Sequence, residues 1–404
     1  MKNKKMRVGK YMYKICFVTT ISLTLKSFVL EFAKTMHESG DFEIHFVCDY
    51  DDDFENILPE YIHYKPISMK RGISMDGIKA IHEMKKYFKK ENFNLVQYST
   101  PNAACYASIA AKLAGVPCRL YCQWGIAYVG FQGIKRKIFK LIEKMVCRCS
   151  MKVEPDSFGN LHFSHAEKLY NADKSCVIWN GSASGVNLDK FDITCKSEWK
   201  KEIRNKYAIP QDAVVYIFIG RITKDKGINE LFEAAKSLIT RKNDVYLLLV
   251  GNVEKSESVD AALYRWTQGE SRVIYCGYTN EVEKYLAASD VYLLPSYREG
   301  FGSAVVEAEA MGVPVIVSDI PGPTDAMIDG KTGLLTPKAD AEKLYDNMLL
   351  MYDNKNLRNE YGENGKVFAR TSFEQKELFK RLIADRCNMI ENTQTQNSKT
   401  CRLT

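Results

Sequence analysis

The feature that most constrains this chain is an alternation of apolar runs and amphipathic runs that is completed once and then begins again. Residues 15–19, 43–48, 95–99 and 119–122 read as strands. Residues 25–37, 75–89, 103–114 and 134–147 read as helices between and after them, with further short strands at 151–154 and 176–179. After 189–207 the pattern restarts, with strands at 214–219, 245–250, 273–275, 291–294 and 315–318 and helices at 228–238, 282–288 and 303–311. Runs such as Val291-Tyr292-Leu293-Leu294 are apolar at consecutive positions, so both faces are buried, as in a parallel strand covered by helices on each side. Alternation of this kind leads to an α/β fold with parallel sheets. Its restart gives two such units, doubly wound and facing each other across a cleft at their carboxyl edges, where ligands bind in such sheets. The expected boundaries are 1–190 for the first domain and 191–372 for the second. A C-terminal helix at 373–390 and a polar, flexible tail at 391–404 follow.

Composition narrows the class. With 404 residues, 46% hydrophobic and 26% charged, the chain is long enough for two cores and has the make-up of a soluble globular protein. No apolar run reaches 18 residues, so no spanning helix is expected. Lys2, Lys4, Lys5, Arg7 and Lys10 precede an apolar stretch at 15–25 that resembles a secretory leader. That stretch is interrupted by Thr19, Thr20, Ser22 and Thr24 and lacks a small-residue cleavage site, so it reads as the first strand. The twelve cysteines are scattered, with no Cys-x-x-Cys pair, which argues for free thiols in a reducing cytoplasm and against a zinc site. Residues 1–190 carry a net charge of +9 and the remainder −2. A basic first half beside a nearly neutral second half points to an anionic surface met by the first; no nucleic-acid partner is expected.

The chemistry concentrates in the second half. Strand 291–294 is followed by Arg298-Glu299-Gly300-Phe301-Gly302-Ser303-Ala304-Val305-Val306-Glu307. The glycines permit a tight turn and close approach to a ligand, and Ser303 is a plausible N-cap for the helix carrying Glu307. Unpaired N–H groups at that helix start suit a phosphate. Two carboxylates flanking an anion hole suit a ligand with hydroxyls at both ends and phosphate between, as in a nucleotide sugar. A second motif, Gly220-Arg221-Ile222-Thr223-Lys224-Asp225-Lys226-Gly227, also ends a strand and opens a helix. Arg221 clamps a phosphate bidentately, and Lys226 adds a point charge for a diphosphate that departs with developing charge.

These segments, with Ala288-Ser289-Asp290, Gly312-Val313-Pro314, Ile320-Pro321-Gly322 and Asp329-Gly330-Lys331-Thr332-Gly333, resemble the family 4 glycosyltransferases of the two-Rossmann GT-B architecture, notably those of bacterial capsule and surface polysaccharide. Trp179-Asn180-Gly181 and Gly185-Val186-Asn187 resemble the family's inter-domain loop. The resemblance spans roughly 14–390. It implies a retaining, metal-independent transferase without cofactor, whose second domain binds the donor. Carried over, Arg221 and Lys226 hold the diphosphate, Glu307 takes the ribose hydroxyls, and Glu299 lies beside the sugar ring. Backbone groups of Gly302, Ser303 and Ala304 meet sugar and phosphate oxygens. Gly220 and Phe301 belong to the same donor contacts, and Tyr278 and Val282 neighbour the base.

The chain departs from the family in two places. The loop after the first strand, Thr19-Thr20-Ile21-Ser22-Leu23-Thr24, has no glycine. Where many members place a histidine before glycine, this chain has Gln123-Trp124-Gly125. Trp124 either stacks on a sugar or is core; Gln123 and Ser22 are further candidate sugar or acceptor contacts. Asp51-Asp52-Asp53 is read as a solvated loop rather than a metal motif. Lys135, Arg136, Lys137, Lys140 and Lys144 punctuate an apolar helical segment that lies on an anionic membrane or simply solvates the first sheet.

The sequence therefore reads as a cytoplasmic, membrane-peripheral glycosyltransferase. It would move a sugar, expected to be UDP-linked, to a glycan or polyprenyl-diphosphate-linked acceptor in surface-polysaccharide assembly. The alternative is a nucleotide-sugar 2-epimerase on the same scaffold.

Overall fold

A computed structural model of the chain describes residues 12–69, 75–254 and 259–401. The basic N-terminal residues up to Lys10 and the last three residues of the expected tail lie outside the described residues.

The chain divides into two compact units. The first sheet contains β1 (Tyr13–Val18), β2 (Phe42–Cys48), β3 (Ile62–Pro66), β4 (Leu95–Tyr98), β5 (Cys118–Gln123) and β6 (Lys152–Pro155). Their order is β3-β2-β1-β4-β5-β6, with every pair parallel. The second sheet contains β7 (Val214–Ile219), β8 (Val245–Val250), β9 (Val273–Gly277), β10 (Val291–Leu294), β11 (Val315–Ser318) and β12 (Gly333–Thr336). It has the order β12-β11-β10-β7-β8-β9, again all parallel. Each sheet is doubly wound, and each reverses its strand order once: between β1 and β4, and between β7 and β10. At such a reversal the loops leaving neighbouring strands diverge to opposite faces, which opens a crevice at the carboxyl edge.

The apolar runs are buried on both faces for the expected reason. On β7, Val215 and Ile217 enter one core with the helices Val282–Ala287 and Ser303–Ala310, while Tyr216 and Phe218 enter the other with the helix Ile228–Arg241. That last helix buries Ile228, Leu231, Phe232, Leu238 and Ile239 at spacings of three and four residues.

Three expectations are corrected. Residues 176–179 form no strand; only Ser175 makes an isolated bridge, to Val153. Residues 391–401 are not a tail but continue the helix Gln375–Cys401. The Thr393 hydroxyl reaches Cys118 Sγ at 3.1 Å. The helix from Phe379 onward belongs to the first unit, and Asp156–Phe163 and Trp179–Leu378 to the second. Within the first unit the fully buried Arg386 explains the attachment: it grips the Glu154 carboxylate through both terminal nitrogens, one at 2.8 Å, and donates to Gln97 Oε1 at 3.2 Å. Finally, Asp51 is no loose loop residue. It accepts from Phe54 N at 3.1 Å as the N-cap of the helix Asp52–Ile57, and from the Ser22 hydroxyl.

Candidate active site

The reversal between β7 and β10 brings the two sequence motifs together. The loop after β7 packs directly on the loop after β10. Gly227 has φ +68°, and a Cβ there would lie 1.9 Å from the Pro295 carbonyl oxygen, so no larger residue fits. Tyr297 N donates to the Asp225 carbonyl at 2.9 Å, and the Arg298 guanidinium reaches Asp225 Oδ2 at 3.0 Å.

Across this seam Lys226 Nζ lies 2.6 Å from Glu299 Oε1, and Ser296 Oγ donates to the same oxygen at 2.7 Å. Both partners are mostly shielded, with side chains 19% and 13% exposed. Arg221, at the end of β7, is half exposed and pairs with Glu254 at 3.0 Å and with Asp225 at 3.8 Å. It is thus a rim cation paired with carboxylates that a phosphate can replace.

The helix Ser303–Ala310 begins at the same edge. Its N-cap is Gly302, not Ser303: Gly302 has φ +87° and no side chain caps the first turn. Position 302 must be left-handed for the chain to turn from the loop into the helix, which displaces Ser303 to the first helical position. Glu307, one turn in, keeps partial exposure. Yet loss of water around its carboxyl pushes it up to about 7, with Lys190 opposing and Glu283 reinforcing the shift. Near enough to both carboxylates to feel their charge is a group that the sequence did not announce. Tyr292, on β10, is fully buried, its hydroxyl has no hydrogen-bond partner, and both Glu299 and Glu307 raise its pKa after burial itself. Its signal was hidden because a tyrosine within a strand run reads as core.

The remaining candidates divide. Gly220, Gly302, Ser303 and Ala304 lie at the edge described above. Phe301 is turned into the core, its ring 5.1 Å from that of Phe373, so only its backbone faces the loop. Tyr278 is exposed beyond β9, with its hydroxyl donating to Asn280 at 3.0 Å, and Val282 packs half-buried beside it in sequence. In the first unit, Gln123 is fully committed inside the core. Its amide donates to Glu143 Oε1 at 2.6 Å and accepts from Ser164 at 3.0 Å and Tyr170 at 3.1 Å. That network rather than a sugar explains the residue. Trp124 is half-buried with its ring 5.6 Å from Phe28. The glycine-free loop after β1 is tied to the loop after β4 through a 2.8 Å contact between Thr20 Oγ1 and Thr100 Oγ1.

The basic helix is Gly133–Cys149. Lys140 and Arg136 reach Glu167 at 2.6 and 3.5 Å, and Lys135 lies over the Phe131 ring at 4.2 Å. Ile134, Ile138 and Leu141, at helical spacing, are nonetheless exposed. Lys137 is exposed and Lys144 half-buried on the same helix.

Two doubly wound parallel sheets, the second carrying this edge, set the class of scaffold, and the comparisons identify it. Residues 200–368 match the family described as glycosyl transferases group 1, and residues 14–154 match the glycosyl transferase 4-like family. Between them these matches span most of the chain, which belongs to the family 4-type glycosyltransferases of GT-B architecture. It is an enzyme of the glycosyltransferase type. It is 27% identical to the capsular polysaccharide biosynthesis glycosyltransferase CapM of Staphylococcus aureus, over 82% of this chain and 84% of that one. It is also 27% identical, over 78% of this chain and 81% of the relative, to the UDP-Gal:alpha-D-GlcNAc-diphosphoundecaprenol alpha-1,3-galactosyltransferase of Escherichia coli. Among solved structures, a sucrose-phosphate synthase of Thermosynechococcus elongatus superposes with a TM-score of 0.76 at 18% identity, covering 94% of this chain and all of that one. The chain is accordingly a glycosyltransferase of surface-polysaccharide biosynthesis.

Proposed function

We propose that this enzyme transfers a sugar from a UDP-linked donor, with retention and without a divalent cation, to a polyprenyl-diphosphate-linked saccharide. The observation that carries the reading is the Lys226–Glu299 pair, set at the β7/β10 reversal between the rim cation Arg221 and the uncapped start of helix Ser303–Ala310. Arg221, Lys226 and that helix start supply positive potential for a diphosphate. Glu307 accepts the ribose hydroxyls, and Glu299 meets the sugar ring. Transfer breaks the bond between the anomeric carbon and the diphosphate oxygen, whose electron pair leaves with UDP. The acceptor oxygen bonds the anomeric carbon and its proton passes to the departing phosphate. The name of the Escherichia coli relative, with its UDP-Gal donor and diphosphoundecaprenol acceptor, supports both substrate classes.

Peripheral membrane placement completes the reading. Among the described residues no helix is long and apolar enough to cross a membrane. The exposed Ile134, Ile138 and Leu141 beside Lys135, Lys137 and Lys144 offer an apolar strip edged by cations, the pattern of a helix lying on anionic lipid.

The test is to incubate the protein, in chelator, with each of UDP-glucose, UDP-galactose, UDP-N-acetylglucosamine and UDP-N-acetylgalactosamine and an undecaprenyl-diphosphate-linked monosaccharide. Release of UDP together with a lengthened lipid-linked product is expected. An altered free UDP-sugar made without acceptor would instead establish an isomerase.

A further inference from the structure

The segment that follows β6 does not stay with its own sheet. Residues Asp156–Phe163 belong to the second unit, and they are fastened there at three points. Asn160 Nδ2 donates to the Gly300 carbonyl at 2.9 Å, one residue beyond Glu299. Gly159 N donates to Asp325 Oδ2 at 2.7 Å, on the loop after β11. The Asp156 carbonyl accepts from Ser182 N at 2.7 Å. The fit is tight. A Cβ on Gly322 would lie 1.8 Å from the Gly300 carbonyl oxygen, and one on Gly159 would lie 3.0 Å from Pro321 Cα. Peptide 300 is therefore held from two sides.

Asn160 is itself set in place. The same amide nitrogen lies 3.1 Å from Asp156 Oδ1, and Asn160 N donates to Ser157 Oγ at 3.2 Å. Asn160 is 4% exposed and Asp156 5%. Burial pushes the Asp156 carboxyl up to about 7; the Asn160 contact opposes this, and the charges of Asp325 and Glu299 reinforce it.

The loop that Asn160 touches needs such a hold. Between Glu299 and the helix start it contains Gly300 and the left-handed Gly302, the residues with the most backbone freedom to lose. The Lys226 and Ser296 contacts fix the tip of the Glu299 side chain, but not the peptide that carries it. We propose that Asn160, oriented by Asp156, is a positioning residue for the sugar end of the donor site: it fixes the Gly300 carbonyl, and through it the setting of the adjoining Glu299. The proposal rests on the donor-site reading of Glu299. Glu307 lies a turn further along a helix whose Val305, Val306 and Ala308 are packed in the core, and Arg221 lies on the loop after β7, so loosening the 299–301 peptide disturbs the sugar end and spares the nucleotide end. A displacement of about 1 Å at a reacting centre can cost up to ~10²-fold in rate.

The experiment compares Asn160→Ala, Asn160→Leu (close in size), Asp156→Asn, Glu299→Gln and the Asn160→Ala/Glu299→Gln double variant in the full chain. Turnover is followed as UDP release from whichever of the four UDP-hexoses named above the wild type consumes fastest, and UDP affinity by calorimetry. Asn160→Ala and Asn160→Leu should each lower kcat by about tenfold or more while UDP affinity stays within about threefold. Asp156→Asn keeps an oxygen for the Asn160 amide and should retain most turnover. In the Glu299→Gln background, Asn160→Ala should cost less than about threefold, because residues acting through one another are not additive. Additive losses, or equal losses in kcat and UDP affinity, overturn the positioning role. Wild-type turnover by Glu299→Gln alone is a different failure, since it removes the donor reading on which the proposal stands.

Discussion

Lys226 Nζ and Glu299 Oε1, 2.6 Å apart, join the two loops that leave the second sheet where its strand order reverses. The pair spans 73 residues of sequence. It exists because parallel β7 and β10 are neighbours, with Ile217 opposite Tyr292, while their following helices pack on opposite faces. The ammonium thus stands beside the carboxylate at the crevice edge.

Removing the ammonium should therefore do two kinds of damage. On the proposed reading, Lys226→Ala takes a cation from the leaving diphosphate, and it leaves Glu299 with Ser296 alone among the contacts described above. Turnover should fall by about 10²-fold or more, as for loss of one strong charge-assisted contact in the transition state. UDP release measured alongside far-ultraviolet circular dichroism checks the effect and separates it from unfolding.

Glu307 gives a prediction with a pH sign. Its carboxyl is raised from an ordinary 4.5 to about 7 in the folded protein. The folded state therefore binds more protons than the unfolded chain between those values, and its contribution to stability is lost as pH rises through that window. Glu307→Gln abolishes this loss. In denaturant titrations the variant should gain on wild type by about 2–3 kcal/mol between pH 4.5 and pH 8. Asp156, raised in the same direction, is common to both proteins and cancels in the comparison. A pH-independent difference would show that Glu307 titrates normally.

The fold was legible wherever a strand is buried on both faces. Val214–Ile219, Val245–Val250 and Val291–Leu294 need only their apolar runs to be recognised. The edge strand β3 was not legible, because Ile62-His63-Tyr64-Lys65-Pro66 alternates exposed and covered positions and ends in proline. The helical character of 391–401 was hidden for a related reason. Its polar sequence has no apolar period, and it continues from a helix anchored by Arg386, whose burial against Glu154 no local pattern announces. At the site, glycine spacing and charge exposed Arg221, Lys226, Glu299 and Glu307. Tyr292, Asp156 and Asn160 stayed hidden because each reads as ordinary core or turn until the strand order is known.

The same Arg386 carries a stability prediction. Replacing it by alanine leaves the Glu154 carboxylate buried without its cation, a defect that typically costs about 3–5 kcal/mol. Arg386→Ala should lower the denaturation midpoint of the first unit far more than Lys34→Ala, whose partner Glu31 is exposed. Equal effects of the two substitutions would contradict the anchoring role.

The exposed strip on helix Gly133–Cys149 predicts salt-sensitive binding to vesicles containing anionic phospholipid. Each cation at such a surface contributes about 1 kcal/mol, and screening shortens from ~10 Å at 0.1 M salt to ~3 Å at 1 M. Ile134→Ser/Ile138→Ser/Leu141→Ser should weaken co-sedimentation, as should Lys135→Glu/Lys137→Glu/Lys144→Glu. Binding unchanged by both would assign the lysines to plain solvation.

On the proposed reading, the β7/β10 edge of the second unit holds a nucleoside diphosphate with protein cations alone. Calorimetric titration of UDP into the protein in chelator, repeated for Arg221→Ala and Glu307→Ala, tests it most directly. Wild type should bind without added metal, and each variant should lose about 2–3 kcal/mol, or on the order of 10²-fold, through a missing charge-assisted contact. Binding that appears only with Mg²⁺ or Mn²⁺, or affinities in both folded variants equal to wild type, would contradict it.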